Sequence, residues 1–120
     1  SGQLGDGTWT ILSVPTTVTL PSGQTFRDAG SNHTCASALN GAASCWGWNY
    51  FGQLGDGTTT GRLTPTAVTG LTSTQAMAAG WNHTCAVADG HVRCWGDNTY
   101  GQLGDGTWTA RSAPVIVSGL

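Results

Sequence analysis

An all-β fold is predicted by three features of the sequence. Nineteen Gly among 120 residues, with abundant Thr and Ser, favour tight turns over helices. Ala/Glu/Lys/Leu-rich stretches with a 3.6-residue period are missing. Loop signals such as Asn40-Gly41 and Asp89-Gly90 stand between short strand-like runs. At this length the chain is about one domain's worth of polypeptide.

The chain also repeats itself. GQLGDGT starts at residues 2, 52 and 101, and a proline follows at Pro15, Pro65 and Pro114. AGxNHTCA starts at Ala29 and Ala79, and CWGxN at Cys45 and Cys94. These landmarks define a first unit at 2–51, a second at 52–100 and a partial third at 101–120.

Strands are placed near 24–29, 33–38, 42–48 and 65–69, with matching ones near 74–79, 83–88, 91–97 and 114–118. The hairpins fix their own registers. Asp89-Gly90 is a two-residue type I′ signal that pairs Ala88 with His91 and, three steps on, Cys85 with Cys94. In the first unit a three-residue loop, Leu39-Asn40-Gly41, pairs Ala38 with Ala42 and then Cys35 with Cys45. Both cysteine pairs fall at non-hydrogen-bonded sites, where Cα atoms lie about 4.5 Å apart and a disulfide can form. Free buried thiols are the plainer alternative. Zinc held with His33 and His83 is a third reading, disfavoured because there is no CxxC pair and closure along one hairpin is poor.

AGWNHTCAVADGHVRCWGDNTYGQLGDGT (79–107) resembles the repeat of the regulator of chromosome condensation family, in the cysteine-containing style of bacterial exported proteins. The resemblance covers essentially the whole chain. It implies a β-propeller of four-stranded antiparallel blades around a central axis. The expectation is about two complete blades plus a partial third, too few to close a ring and open unless associated. Elementary packing agrees, since one blade has two apolar faces and can bury neither alone. Leu4, Leu54 and Leu103 are expected to plug the space under the inter-blade loop, while GQLGDGT supplies the same hinge each time, its Asp making an Asx-type turn bond.

Charge narrows the function. Four Arg, six Asp, no Lys and no Glu give a net charge of −2, so nucleic acid is not an expected partner. No apolar run suits a membrane helix, and no membrane insertion is expected. The cysteine pairs point to an extracellular or cell-surface, secreted setting. Gly-Asp-Gly lacks the context of a phosphate loop and the carboxylates of a calcium loop. No nucleophile and base stand at a catalytic spacing, so neither enzyme activity nor a metal or cofactor is assigned.

Positions where the units disagree are free for other work. Trp46 and Trp95 match and read as core aromatics. Trp81 stands where Ser31 does, Trp48 where Asp97 does, and Trp9 and Trp108 where unit two has Thr59. These four could anchor a protein or carbohydrate ligand, with shelter between blades as the plainer alternative. Asn32 and Asn82 head NHT sequons; a turn asparagine is preferred to a glycosylation site. The favoured role is a non-catalytic binding module. A structural subunit of a stacked surface assembly or fibre is the alternative, and guanine nucleotide exchange with chromatin binding the third. The final APVIVSGL reads as an apolar strand without its hairpin, to be completed by other copies of the chain or by missing blades. A closed, lone monomer is therefore not expected, and the fractional repeat number favours association that is open or rearranged at the junction.

Overall fold

The structure is a computed structural model that describes residues 2–20 and 23–120, with the backbone alone for residues 24–27. Among the described residues eight strands form two four-stranded antiparallel sheets. The first sheet runs in the order β1 (Gln24–Ala29), β2 (His33–Ala38), β3 (Ala43–Gly47) and β4 (Arg62–Ala67). The second repeats it with β5 (Thr74–Ala79), β6 (His83–Ala88), β7 (His91–Gly96) and β8 (Arg111–Ile116).

The turns set the hairpins as the local chemistry requires. Asp89 and Gly90 both take positive φ, 51° and 73°, and the β6–β7 ladder runs from Ala88↔His91 to Cys85↔Cys94. In the first sheet Ala38 N donates to Ala42 O at 2.8 Å, and β2–β3 pairs Cys35 with Cys45.

The fourth strands begin three residues earlier than the sequence suggests, at Arg62 and Arg111. Each arginine lies opposite the last glycine of the neighbouring strand, Gly47 or Gly96, and reaches back to an aspartate in the preceding loop. Pro65 and Pro114 consequently fall inside strands. That is tolerated because β4 and β8 are edge strands, where a missing N–H on the outer side breaks no ladder bond. The expectation that the final strand lacks its hairpin is also corrected. β8 pairs with β7 through Arg93↔Ile116 and Cys94↔Val115, completing the second blade within the chain.

The core lies between the sheets. Cys35, Ala43 and Cys45 of the first sheet, with Leu54 and Val68, meet Ala86 and Trp95 of the second, and Leu71 and Met77 pack against them. Leu54 is fully buried there, which stabilises by about 2–3 kcal/mol relative to exposure. Leu103 is buried beneath its own loop, but Leu4 is 40% exposed. Among the described residues the loop of Leu4 rests on the first sheet alone, whereas Leu54 and Leu103 each follow a sheet under which they pack.

Chain path and joint are interleaved. After β3 the chain leaves the first sheet and lies on the second, where Gly57 N donates to Ser112 O at 2.9 Å and Gln53 O accepts from Thr84 Oγ1 at 2.8 Å. It then returns to the first sheet as β4.

Candidate interaction surface and blade joint

The loop between β3 and β4 is organised by one buried side chain. Asn49 Nδ2 donates to the carbonyls of Thr58 and Thr60 at 3.0 and 2.9 Å, and its Oδ1 accepts from Leu54 N at 2.9 Å. Asn98 repeats this in the second blade with Thr107, Thr109 and Leu103. The loop aspartates behave as expected for Asx turns: Asp56 Oδ1 accepts both the amide and the hydroxyl of Thr58, at 3.0 and 2.7 Å. Asp56 Oδ2 takes Arg62 Nε at 2.9 Å, and Asp105 takes Arg111 at 2.8 Å. Burial pushes the Asp56 pKa up, but the bonds from Thr58 and Arg62 together more than reverse it. The Thr107 hydroxyl, aided by Arg111, brings Asp105 to about 2.

Sequence reasoning missed both the asparagine nodes and the Asp–Arg pairs, although the signal was present. Asn49 and Asn98 close the CWGxN landmark, and an arginine follows the loop aspartate at the same spacing in two of three units. Leu12 stands at that place in the first unit, leaving Asp6 without the equivalent arginine.

At the joint, His33 is fully buried and lies 2.8 Å from Thr84 Oγ1 through Nε2. The Thr84 hydroxyl proton goes to Gln53 O, so Oγ1 accepts and His33 carries its proton on Nε2. His33 Nδ1 is then a bare, buried acceptor without a partner among the described residues. Burial, with help from the charge of His83 and against the pull of Asp28, lowers the His33 pKa to about 4. His33 is thus a packed strand histidine, whereas His83 is half-buried. A second inter-sheet bond runs from Ala79 N to Asp28 Oδ2 at 2.8 Å.

Both cysteine pairs are disulfides, Cys35–Cys45 and Cys85–Cys94, each with Cα atoms 4.1 Å apart. They are the only cysteines in the sequence, and both pairs stand at disulfide distance. Cys35–Cys45 is sealed between the sheets, while Cys85 is half-buried on the outer face of the second sheet.

The four singled-out tryptophans do not converge on one site. Trp48 stacks on Tyr50 at 6.2 Å, and Tyr50 meets Phe51 edge-on at 5.1 Å. Trp81, 81% exposed, edges a depression with Ser31, Gly30 and Gly80 at the end where β1–β2 and β5–β6 turn. Trp108 and Tyr100 flank an open depression of about 500 Å³ floored by Gly101, Gly104 and Gly106. Trp9 borders another with Gly2, Gln3 and Ile11. Trp46 and Trp95 are buried, as their matching positions imply. Asn32 and Asn82 lie half-buried in the bends before β2 and β6, and both backbone carbonyls accept bonds, from Trp48 N and Asp97 N.

The family model of the regulator of chromosome condensation (RCC1) repeat matches residues 40–87 and 89–120, and a second RCC1 repeat model matches 75–102. The chain belongs to the RCC1 repeat family. No curated protein matches the sequence. Solved structures of RCC1 propellers give the same fold. Prp20p from Saccharomyces cerevisiae, described with its binding to Gsp1p and histones, superposes with TM-score 0.85 at 20% identity over 98% of this chain and 32% of that one. Yeast RCC1 (Prp20) bound to Kap60 gives 0.84 at 21% identity, over 98% and 31%. Human WBSCR16 gives 0.78 at 20% identity, over 98% and 33%. The RCC1-repeat chain thus spans about a third of these propellers, and its two sheets are two adjacent, unclosed blades.

Proposed function

We propose that this chain is a non-catalytic RCC1-type propeller module of an exported protein, acting in protein interaction or ligand binding. One observation carries the reading: the scaffold buries Trp46 and Trp95 to 3% and 0% exposure but leaves Trp81, Tyr100 and Trp108 at 74% or more. Rigid aromatic surface of this kind anchors partners. Disulfides in both hairpins suit an oxidising compartment, which supports export. The structural relatives' partners are proteins, which fits the role in kind; a chain with a net charge of −2 and no Lys is a poor match for chromatin.

Selection of a displayed peptide library on the immobilised chain tests it, with counter-selection on a Trp81→Ala/Trp108→Ala variant. Peptide families that bind the wild type and are lost on the variant are expected. Equal enrichment on both proteins would remove the aromatic rims from the reading.

Stacking of copies is the second reading, favoured by the outer face of the second blade. There Ala76, Ala78, Cys85, Val87 and Val92 line an apolar depression of about 150 Å³ that the equivalent face of the first blade buries against its neighbour.

A further inference from the structure

One depression is walled by both blades. Ala29, Gly30 and Ser31, in the turn between β1 and β2, face Ala79, Gly80 and Trp81, in the turn between β5 and β6, around about 340 Å³. Walls and floor all fall within residues 28–81.

The polar groups around it are mainly acceptors. Asp28 is exposed and its carboxylate spans the joint, with Oδ1 accepting from Ala29 N at 3.0 Å and Oδ2 from Ala79 N at 2.8 Å. Each oxygen keeps a lone pair for a further donor. Gly80 O takes only a long bond, 3.4 Å, from Ser31 N. Beneath Gly30 lies His33 Nδ1, fully buried and without a donor among the described residues. A Cβ on Gly30 would collide with that nitrogen and with Gly80 O, so the floor is bare backbone set against two acceptors. Burial lowers the His33 pKa to about 4, and the ring therefore puts no positive charge there at neutral pH.

Trp81 supplies the remaining wall. It is 81% exposed, and Ser31 stands at its place in the first blade, so the turn folds without the ring. A carboxylate, a free carbonyl and an uncovered indole face together select a cation that is flat and carries several N–H groups. A guanidinium meets all three at once, whereas an ammonium has no plane to stack.

We infer that an arginine side chain of a partner protein occupies this depression, its guanidinium against the Trp81 ring and its N–H groups donating to Asp28 and Gly80 O. Charge complementarity fixes the occupant, since Asp28 borders the depression and no described arginine lines it. The inference rests on the protein-interaction reading and names the partner's chemistry at one aromatic rim.

Random displayed peptides selected on the immobilised chain, then resynthesised, test it. Peptides whose binding needs Trp81 should share an arginine at one position. Replacing that arginine with citrulline, which keeps its shape and loses its charge, should weaken binding by at least about tenfold. Asp28→Asn should weaken the arginine peptide by at least about fivefold and leave the citrulline peptide unchanged, and Trp81→Ser should behave in the same way. Circular dichroism and intact mass establish that each variant keeps its sheets and both disulfides. Trp81→Ser decides alone should Asp28→Asn fail to fold. Trp81-dependent peptides without a shared arginine, or with citrulline or lysine binding as tightly, overturn the arginine site and leave the aromatic-rim reading standing. Peptides indifferent to Trp81 and Trp108, or no enrichment on the wild type, overturn both.

Discussion

His33 Nε2 donates to Thr84 Oγ1 across the blade joint at 2.8 Å, and that hydroxyl donates onward to Gln53 O at 2.8 Å. One buried threonine thus ties together a strand of each blade and the loop that crosses between them.

Acid should weaken this joint. Burial holds His33 near a pKa of 4, below its ordinary value of 6.5, so the unfolded chain binds the extra proton between those values. The contribution is complete above pH 6.5 and is lost as pH falls from there toward 4. At most about 3 kcal/mol is at stake. Urea midpoints measured at about pH 7.5 and about pH 4.5 should differ in wild type and differ less in His33→Gln. Equal pH dependence in the two proteins would place the acid sensitivity elsewhere.

Asn49→Ala should cost about 2–4 kcal/mol, because it orphans the amide of Leu54 and the carbonyls of Thr58 and Thr60 together. Thermal melting followed by circular dichroism measures it. A loss below about 1 kcal/mol would mean that water replaces the side chain without penalty.

Two glycines of one loop should respond differently to alanine. Gly57 has φ +83° and open space around a Cβ, so Gly57→Ala carries backbone strain alone, about 1 kcal/mol. Gly55, at +71°, faces the Trp95 ring, and a Cβ there lies 2.5 Å from Nε1. Gly55→Ala should cost about 1–3 kcal/mol more through overpacking. Urea unfolding of both variants checks the order, and comparable losses would refute the close-approach argument.

Reduction should proceed in sequence. Cys35 and Cys45 are at 0% exposure behind the second blade, whereas Cys85 is half-buried on an open face. Brief treatment with a mild reductant followed by alkylation should label Cys85 and Cys94 first, as read by peptide mass. First labelling at Cys35 and Cys45 would show that the joint opens more readily than the outer face.

The hairpins were legible in the sequence because their determinants are local. Asp89-Gly90 dictates its own turn, and the turn dictates which residues face each other up to Cys85 and Cys94. The start of β4 was not legible, because it is decided by Arg62 reaching a carboxylate across an intervening loop. Leu4 and Leu54 share the same local letters and differ in burial, since Leu54, like Leu103, follows a described sheet under which it packs and Leu4 does not. The same holds for the tryptophans. Disagreement between units singled out Trp9, Trp48, Trp81 and Trp108, but their separation depends on where the blades carry them.

The crossing of the β3–β4 loop onto the neighbouring blade bears on how such a chain lengthens. A gene segment encoding one unit from GQLGDGT to the next contributes the last strand of one sheet and the first three of another. Tandem duplication therefore inserts a fresh interlock rather than a free-standing module. Every newly copied piece is tied to its predecessor by backbone hydrogen bonds in the folded chain, and recombination between misaligned units changes the number of blades without leaving any sheet a strand short.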